Sequence, residues 1–138
     1  MLEGRLHKIL QPEGWARPVG YANGVAARGR LVFTAGLIGW NAQNAFETDD
    51  FAGQARQALM NIVAVLAEAG ARPQHITSMT WYVTSRSEYL ANLKGVGAAW
   101  RDVIGKHYCA MAAVEVSALM EARARIEIQA IAVVPEEA

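Results

Sequence analysis

The run from Arg125 to Val134, RIEIQAIAVV, constrains the fold of this chain more than any other segment. Its side chains alternate in character, which is the pattern of a β-strand. One face of this strand is wholly apolar, whereas the other begins polar at Glu127 and becomes apolar at Ile131 and Val133. Because a strand that faces bulk water keeps one side polar, we expect both faces of this one to be largely covered.

The first half of the chain predicts two strands followed by a helix. The segment from Leu31 to Ile38 alternates, and we expect it to form a hairpin with Tyr21–Ala27 through a turn at Arg28 and Gly29. A helix should follow Asp50, whose side chain can cap its first turn, and should end near Gly70. Its apolar stripe makes it the best-defined element: Phe51, Ala55, Ala58, Leu59, Ile62, Val63 and Leu66.

The second half repeats this order. The alternating segment from Ile76 to Thr84 predicts a strand, and Ser85 with Glu88 forms a capping-box pattern that predicts a helix up to Gly105. Two strands, 112–116 and 125–134, then complete the order strand, strand, helix, strand, helix, strand, strand. This order predicts one α+β domain over residues 1–138, a mixed sheet with two helices on one face. Since no predicted helix remains to cover the other face, we expect copies of the chain to cover it in a closed homo-oligomer.

Composition excludes several classes of partner. The chain has 13 basic and 13 acidic residues without a basic stripe, which makes nucleic acid an unexpected partner. No run approaches the roughly 20 apolar residues that span a membrane, and the start resembles no signal peptide, so we expect a cytoplasmic protein. A single cysteine, Cys109, agrees with a reducing compartment. The three histidines are widely spaced and suggest no metal site.

Six segments, in their order and spacing, carry a resemblance to a known family. They are PVGYANGV (18–25), GRLVFTAGLIGW (29–40), QARQALMNIVAVLAEAGA (54–71), ITSMTWYVT (76–84), AAVEVSAL (112–119) and ARIEIQAIAVV (124–134). Together they resemble the RidA family, also called YjgF/YER057c/UK114. The resemblance implies a chorismate-mutase-like ββαβαββ fold, a homotrimer, and a small-molecule pocket at each subunit interface. It also implies hydrolysis of reactive enamines and imines, such as 2-aminoacrylate, without a metal or organic cofactor.

The resemblance also assigns candidate site residues. Glu127 matches a strand glutamate that handles water, and Tyr21 matches a pocket tyrosine. An arginine would normally clamp the substrate carboxylate, because its planar fork matches two oxygens, but Met111 occupies that place. Ala35 stands where a serine is typical and Leu37 where a glutamine is typical. We therefore expect a more apolar pocket lined by Tyr21, Ala35, Leu37, Trp40 and Met111, which suits a larger or less charged imine than 2-aminoacrylate.

Each candidate also has a purely structural interpretation. Glu127 could be a surface strand residue paired with Arg125 or another neighbour, and Tyr21 could be a packing aromatic. Met111 and Trp40 could fill a core or an interface. Cys109 near His107 could form a nucleophile pair, although a structural cysteine is favoured.

Three functions from different classes remain open. The first is a trimeric enamine or imine hydrolase in which Glu127 positions water. The second is a non-catalytic binder of metabolites that kept the interface cleft, an idea that Met111 and Ala35 motivate. The third is a ribonuclease or translation inhibitor, which the balanced charge disfavours.

Overall fold

The computed structural model describes residues 7–136, and within this range the chain forms seven strands and three α-helices. The strands are β1 (Lys8–Leu10), β2 (Gly24–Ala26), β3 (Arg30–Phe33), β4 (Leu37–Ile38), β5 (Ile76–Val83), β6 (Ala110–Glu115) and β7 (Ile126–Val134). The helices are α1 (Phe51–Ala67), α2 (Arg86–Ala91) and α3 (Leu93–Val103). No helix in this range is long and apolar enough to cross a membrane.

The last strand, β7, is the centre of a mixed five-stranded sheet. On one side it pairs antiparallel with β3 and then with β4, and on the other side with β5. The edge strand β6 runs parallel to β5. The helices pack against one face, which confirms the predicted α+β class. The second predicted helix is divided at Asn92, whose side-chain Nδ2 donates to the Glu88 carbonyl (2.8 Å) and competes with the helical hydrogen bonds.

The predicted hairpin between Tyr21–Ala27 and Leu31–Ile38 is wrong. β2 pairs instead with β1 in a separate two-stranded sheet, and β3 pairs with β7. The reason lies at Gly29, which has a φ of 148° and approaches the backbone of Val134 so closely that a Cβ would overlap it. The turn therefore carries the chain from one sheet to the other rather than reversing it beside its neighbour.

An extra residue interrupts the strand predicted over Leu31–Ile38. Phe33 pairs with Ile131, and Leu37 pairs with Ile128. The chain therefore advances four residues between these pairs while β7 advances three, which is a β-bulge. The Thr34 hydroxyl accepts a hydrogen bond from the Ala130 amide (3.0 Å) and thereby completes the ladder at the bulge. The bulge reverses the alternation, and Leu37 turns toward the helices while Leu31 and Phe33 face the other way.

The helix α1 covers the centre of the sheet. Asp50 caps it through a carboxylate oxygen that accepts from the Gly53 amide (2.8 Å), as predicted, and Gly70 ends it with a φ of 74°. Six of the seven residues of the predicted apolar stripe are buried, and Val63 is partly buried. Gln54 is also fully buried, and its amide donates to the Thr48 and Arg123 carbonyls and accepts from the Arg125 amide. Because a buried amide must be hydrogen-bonded, Gln54 joins the helix start to the loop before β7.

The opposite face of the sheet, which we call the open face, carries no helix of the described chain. It presents Leu31, Phe33 and Val114, which are 57%, 64% and 43% exposed. Their cross-strand register places them on the same side as Glu127. The open face is therefore an apolar surface with a carboxylate near its centre.

Candidate functional site

A cleft lies at the edge of the sheet, between β6 and the helices α2 and α3. Its volume of about 590 Å³ is in the range of small-molecule sites. Five aromatic side chains line it, together with Met111, Arg101 and several small or aliphatic residues. The aromatic residues are Tyr21, Trp81, Tyr89, Trp100 and Tyr108. We call this region the aromatic cleft.

The local pairing of the chain explains why Tyr21 and Met111 meet there. Ala22 forms a parallel bridge with Ala110, and its amide donates to the Cys109 carbonyl (2.9 Å). This bridge places Tyr21 beside the start of β6. Met111 lies opposite Met79 in the register of β6 with β5, and it packs against the helix side of the sheet. Two residues predicted for one pocket are thus brought together.

The wall of the aromatic cleft is a series of aromatic contacts. The ring centroids of Trp81 and Trp100 are 6.2 Å apart, and Tyr108 stacks on Trp100 at 6.3 Å with an interplanar angle of 2°. The Trp100 indole also donates to the His107 carbonyl (3.0 Å). Such contacts hold the rings in place, with Trp81 and Trp100 buried behind the half-exposed ring of Tyr108.

Sequence reasoning missed Arg101, which lies in the last turn of α3 and lines the aromatic cleft. A signal for it exists: Leu93, Gly97 and Arg101 recur every four residues, and all three line the cleft. The sequence alone did not reveal that this line borders a cleft rather than solvent.

Glu127 lies elsewhere, on the open face. It pairs with Tyr82 on one side and with Ile38 on the other. Its carboxylate lies over Gly36, where a Cβ would be 2.8 Å from the Glu127 Cδ and would overlap a carboxylate oxygen. Only a glycine at this position leaves room for the carboxylate in its present place.

The carboxylate of Glu127 has no hydrogen-bond or salt-bridge partner among residues 7–136. The alternative that it pairs with Arg125 is wrong, because Arg125 Nη1 binds the Glu88 carboxylate at 2.9 Å. Glu127 is partly buried by its neighbours. A partly buried carboxylate without a partner remains able to accept a proton or to bind a water molecule.

The other three predicted site residues are dispersed. Ala35 is exposed on the bulge between β3 and β4. Leu37 packs against the core beneath the helices. Trp40 lies in the loop after β4, where its ring is 5.7 Å from that of Phe46 and its carbonyl accepts from Asn61 (2.8 Å). None of the three lines the aromatic cleft of the same chain.

The sheet itself separates Met111 from Glu127. Met111 shares the helix side with Met79, whereas Glu127 shares the open face with Tyr82, and these two positions of β5 alternate. The two side chains therefore lie on opposite faces and two strands apart. Within one chain they cannot contact the same small ligand.

Cys109 and the histidines do not form a reactive site in the described chain. Cys109 is fully buried, and burial raises the pKa of its thiol to about 12, so it is not a thiolate near neutral pH. His107 Nε2 instead contacts the Ile76 carbonyl (2.8 Å), and His7 Nε2 contacts the His75 carbonyl (3.2 Å). No group of three potential metal ligands occurs between residues 7 and 136.

Comparisons with known proteins give consistent results. The family model described as Endoribonuclease L-PSP matches residues 15–134. A 2-iminobutanoate/2-iminopropanoate deaminase of Escherichia coli K12 is 30% identical over 132 residues, covering 93% of this chain and 98% of that protein.

Two solved structures extend the comparison. A Rid-family protein of unknown function from Yersinia pestis, YyfB, has a TM-score of 0.83 at 29% identity, with 94% of this chain and 99% of that chain covered. A YjgF/YER057c/UK114 family member from Mycobacterium tuberculosis has a TM-score of 0.62 at 34% identity, with 84% and 88% covered. The resemblance found in the sequence is thereby confirmed, and the chain belongs to the YjgF/RidA family that the Endoribonuclease L-PSP model describes.

Proposed function

We propose that this protein hydrolyses imines or enamines of 2-amino acids, as a homotrimer, at sites shared between subunits. In this reaction the oxygen of water forms a bond to the imine carbon, the carbon–nitrogen bond breaks, and ammonia and a 2-oxo acid leave. Glu127 accepts a proton from the attacking water and returns it to the departing nitrogen. The observation that carries the proposal is the carboxylate of Glu127 over Gly36, which has no partner within residues 7–136.

The need for a second subunit follows from the separation of the two groups. The aromatic cleft holds Tyr21 and Met111, and the open face holds Glu127 on the other side of the sheet. A ligand can contact both only if the open face of one copy lies beside the cleft of another. The exposed Leu31 and Phe33 support such an association, because exposed apolar patches on a sheet are typical of protein interfaces.

The substrate is proposed to be larger or less charged than 2-aminoacrylate. Met111 contributes no charge, and the rings around it favour an apolar group on the substrate. Losing a charge-assisted contact weakens binding by roughly 1.5–3 kcal/mol, so a small, charged imine should be held poorly by residue 111.

The test is release of ammonia from 2-imino acids that an amino-acid oxidase generates in the assay. We expect Glu127→Gln to lower kcat by about 100-fold or more, because general acid–base catalysis contributes roughly 10²- to 10⁴-fold. Glu121→Gln, an exposed loop glutamate, is the matched control and should leave kcat unchanged. Equal kcat for the wild type and Glu127→Gln would contradict the role of this carboxylate.

A second variant tests the position of the carboxylate rather than its charge. A Gly36→Ala methyl group would push Glu127 away while leaving its acid intact. We expect a lower kcat with little change in KM for this variant.

A non-catalytic binding protein is the second candidate. It is favoured by the absence of an acidic residue from the described lining of the aromatic cleft. Binding of a 2-oxo acid without turnover of any imine would support it.

A ribonuclease is the weakest candidate despite the wording of the family description, because the 13 basic residues are balanced by 13 acidic residues. RNA left intact at low salt would exclude that activity.

A further inference from the structure

The aromatic cleft carries one charge, and it is not at residue 111. Of the residues that line the cleft in the described chain, Arg101 alone has a charged side chain. Its guanidinium lies against the helix one turn back, with Nη1 at 3.5 Å from the place a Cβ on Gly97 would occupy. The guanidinium is exposed to solvent and borders the cleft at its helix side.

Arg101 also has no side-chain partner in the part of the chain that the structure describes. Three arginines of the described chain, Arg56, Arg123 and Arg125, hold carboxylates at 2.9–3.0 Å. Arg101 forms no salt bridge or side-chain hydrogen bond with any residue between 7 and 136. Its five N–H donors are therefore free for a ligand, and a carboxylate is the anion that matches their planar fork.

We infer that Arg101 is a specificity-determining residue that anchors the carboxylate of an aromatic 2-imino or 2-oxo acid, in place of a cation at residue 111. The ring of this ligand packs against the half-exposed rings of Tyr21 and Tyr108, and its carboxylate lies toward the last turn of α3. The inference rests on the proposed function for the imine, and it narrows the substrate to a larger acid that keeps its charge.

Two features of the cleft favour an aromatic acid over a small one. The half-exposed rings of Tyr21 and Tyr108 can stack with a flat ring, and the volume of about 590 Å³ far exceeds the needs of a three-carbon acid. The cation lies on a different element from Met111, on α3 rather than on β6. The ligand carboxylate should therefore be bound at the helix side of the cleft, with the ring near the sheet.

The experiment measures binding of two stable probes to the full chain by calorimetry. Phenylpyruvate carries the carboxylate, and phenylacetone is the neutral ketone of similar shape. We expect the wild type to bind phenylpyruvate about 10-fold more tightly than phenylacetone, a modest factor because Arg101 is exposed and solvent screens its charge. Arg101→Leu should bind both probes equally, and Arg101→Lys should restore part of the preference.

Two controls separate this role from a structural one. Lys94→Leu removes a cation from the same helix outside the cleft and should keep the preference of the wild type. Phenylacetone binding by Arg101→Leu that equals wild-type binding shows that the cleft is still folded. An unchanged preference for phenylpyruvate in Arg101→Leu would overturn the inference.

Kinetics then distinguish failure of the inference from failure of the proposed function. With the imine of phenylalanine, Arg101→Leu should raise KM about 10-fold and spare kcat. If the wild type hydrolyses the imine and Arg101→Leu has the same KM as the wild type, the role of Arg101 as a carboxylate anchor is refuted and the proposed hydrolase activity is not. Phenylpyruvate binding that depends on Arg101, without hydrolysis of any imine, would support the anchor and refute the hydrolase.

Discussion

The two faces of the sheet differ in how they are completed. On the helix face, Trp81, Ile126 and Ile128 are almost wholly buried under α1 and α3, and the buried Gln54 has its hydrogen-bond partners within the same chain. The open face leaves Leu31 and Phe33 more than half exposed. The helix face is buried within the chain, whereas the open face carries large apolar side chains that are exposed to solvent in the single chain.

The helix face therefore accounts for most of the folding stability, and the open face carries the candidate acid. The helix face supplies the folding energy of the chain, because burial of apolar area is the main favourable term. The open face carries Glu127, the candidate acid, on a rigid central strand. A rigid strand holds the Glu127 carboxylate in a precise position, but the rest of a site at this face depends on the partner that covers it.

The largest predicted effect is on the helix face. Ile128→Ala should lower the free energy of unfolding by about 2–5 kcal/mol, because it removes buried methyl groups and leaves a cavity. Urea denaturation at several protein concentrations would measure it. Gln129→Ala, the exposed next residue on the opposite face, is the control and, at protein concentrations where the chain is dissociated, should change the free energy by less than about 0.5 kcal/mol. Equal losses in both variants would break the contrast between the faces.

A smaller effect is expected from a charge on the open face. Phe33→Glu should weaken association by about 2 kcal/mol or more, because a carboxylate would replace a large apolar contact. Sedimentation would show a lower mass at a concentration where the wild type is associated. Met120→Glu is the control, since Met120 is 92% exposed in a loop. A monomeric wild type would contradict the proposed trimer, and the open face would then need another partner.

The smallest predicted effect concerns pH. Burial lowers the pKa of His75, with a contribution from Arg72, and burial also lowers the pKa of His107 against an opposing hydrogen bond to the Ile76 carbonyl. The unfolded chain therefore binds more protons, and the free energy of unfolding should fall as the pH drops below about 6.5. Denaturation at pH 5.0 and 7.5 would measure this loss, which His107→Gln should reduce. A stability that rises toward pH 5 would contradict the assignment.

Much of the fold was predictable from local patterns. The boundaries of α1 followed from its apolar stripe, from the cap at Asp50 and from Gly70, all of which act within one or two turns of the helix. The alternation of β5 and β7 was equally readable, because the period of a strand is local. The hairpin of β2 with β3 failed, because the contact of Gly29 with Val134 joins residues far apart in sequence.

The candidate site was only partly predictable. Tyr21 and Met111 line the same cleft, and the Glu127 carboxylate has no partner in the described part of the chain. Leu37, however, turns toward the core because of the bulge at Thr34. Arg101 escaped notice because a helical arginine in a last turn is ordinary in a sequence. Its place at the cleft depends on the packing of α3 near β6, which the helix sequence alone does not reveal.

The sequence by itself determined the strand and helix periods, the caps and the family, because these depend on neighbouring residues and on motifs in order. Only the tertiary structure decided which face each side chain occupies and which strands are adjacent. One added residue in a bulge reverses every side chain after it, and one glycine redirects a strand to another sheet. The separation of Met111 from Glu127 likewise arises from the register of β6, β5 and β7, which places the two side chains on opposite faces of the sheet.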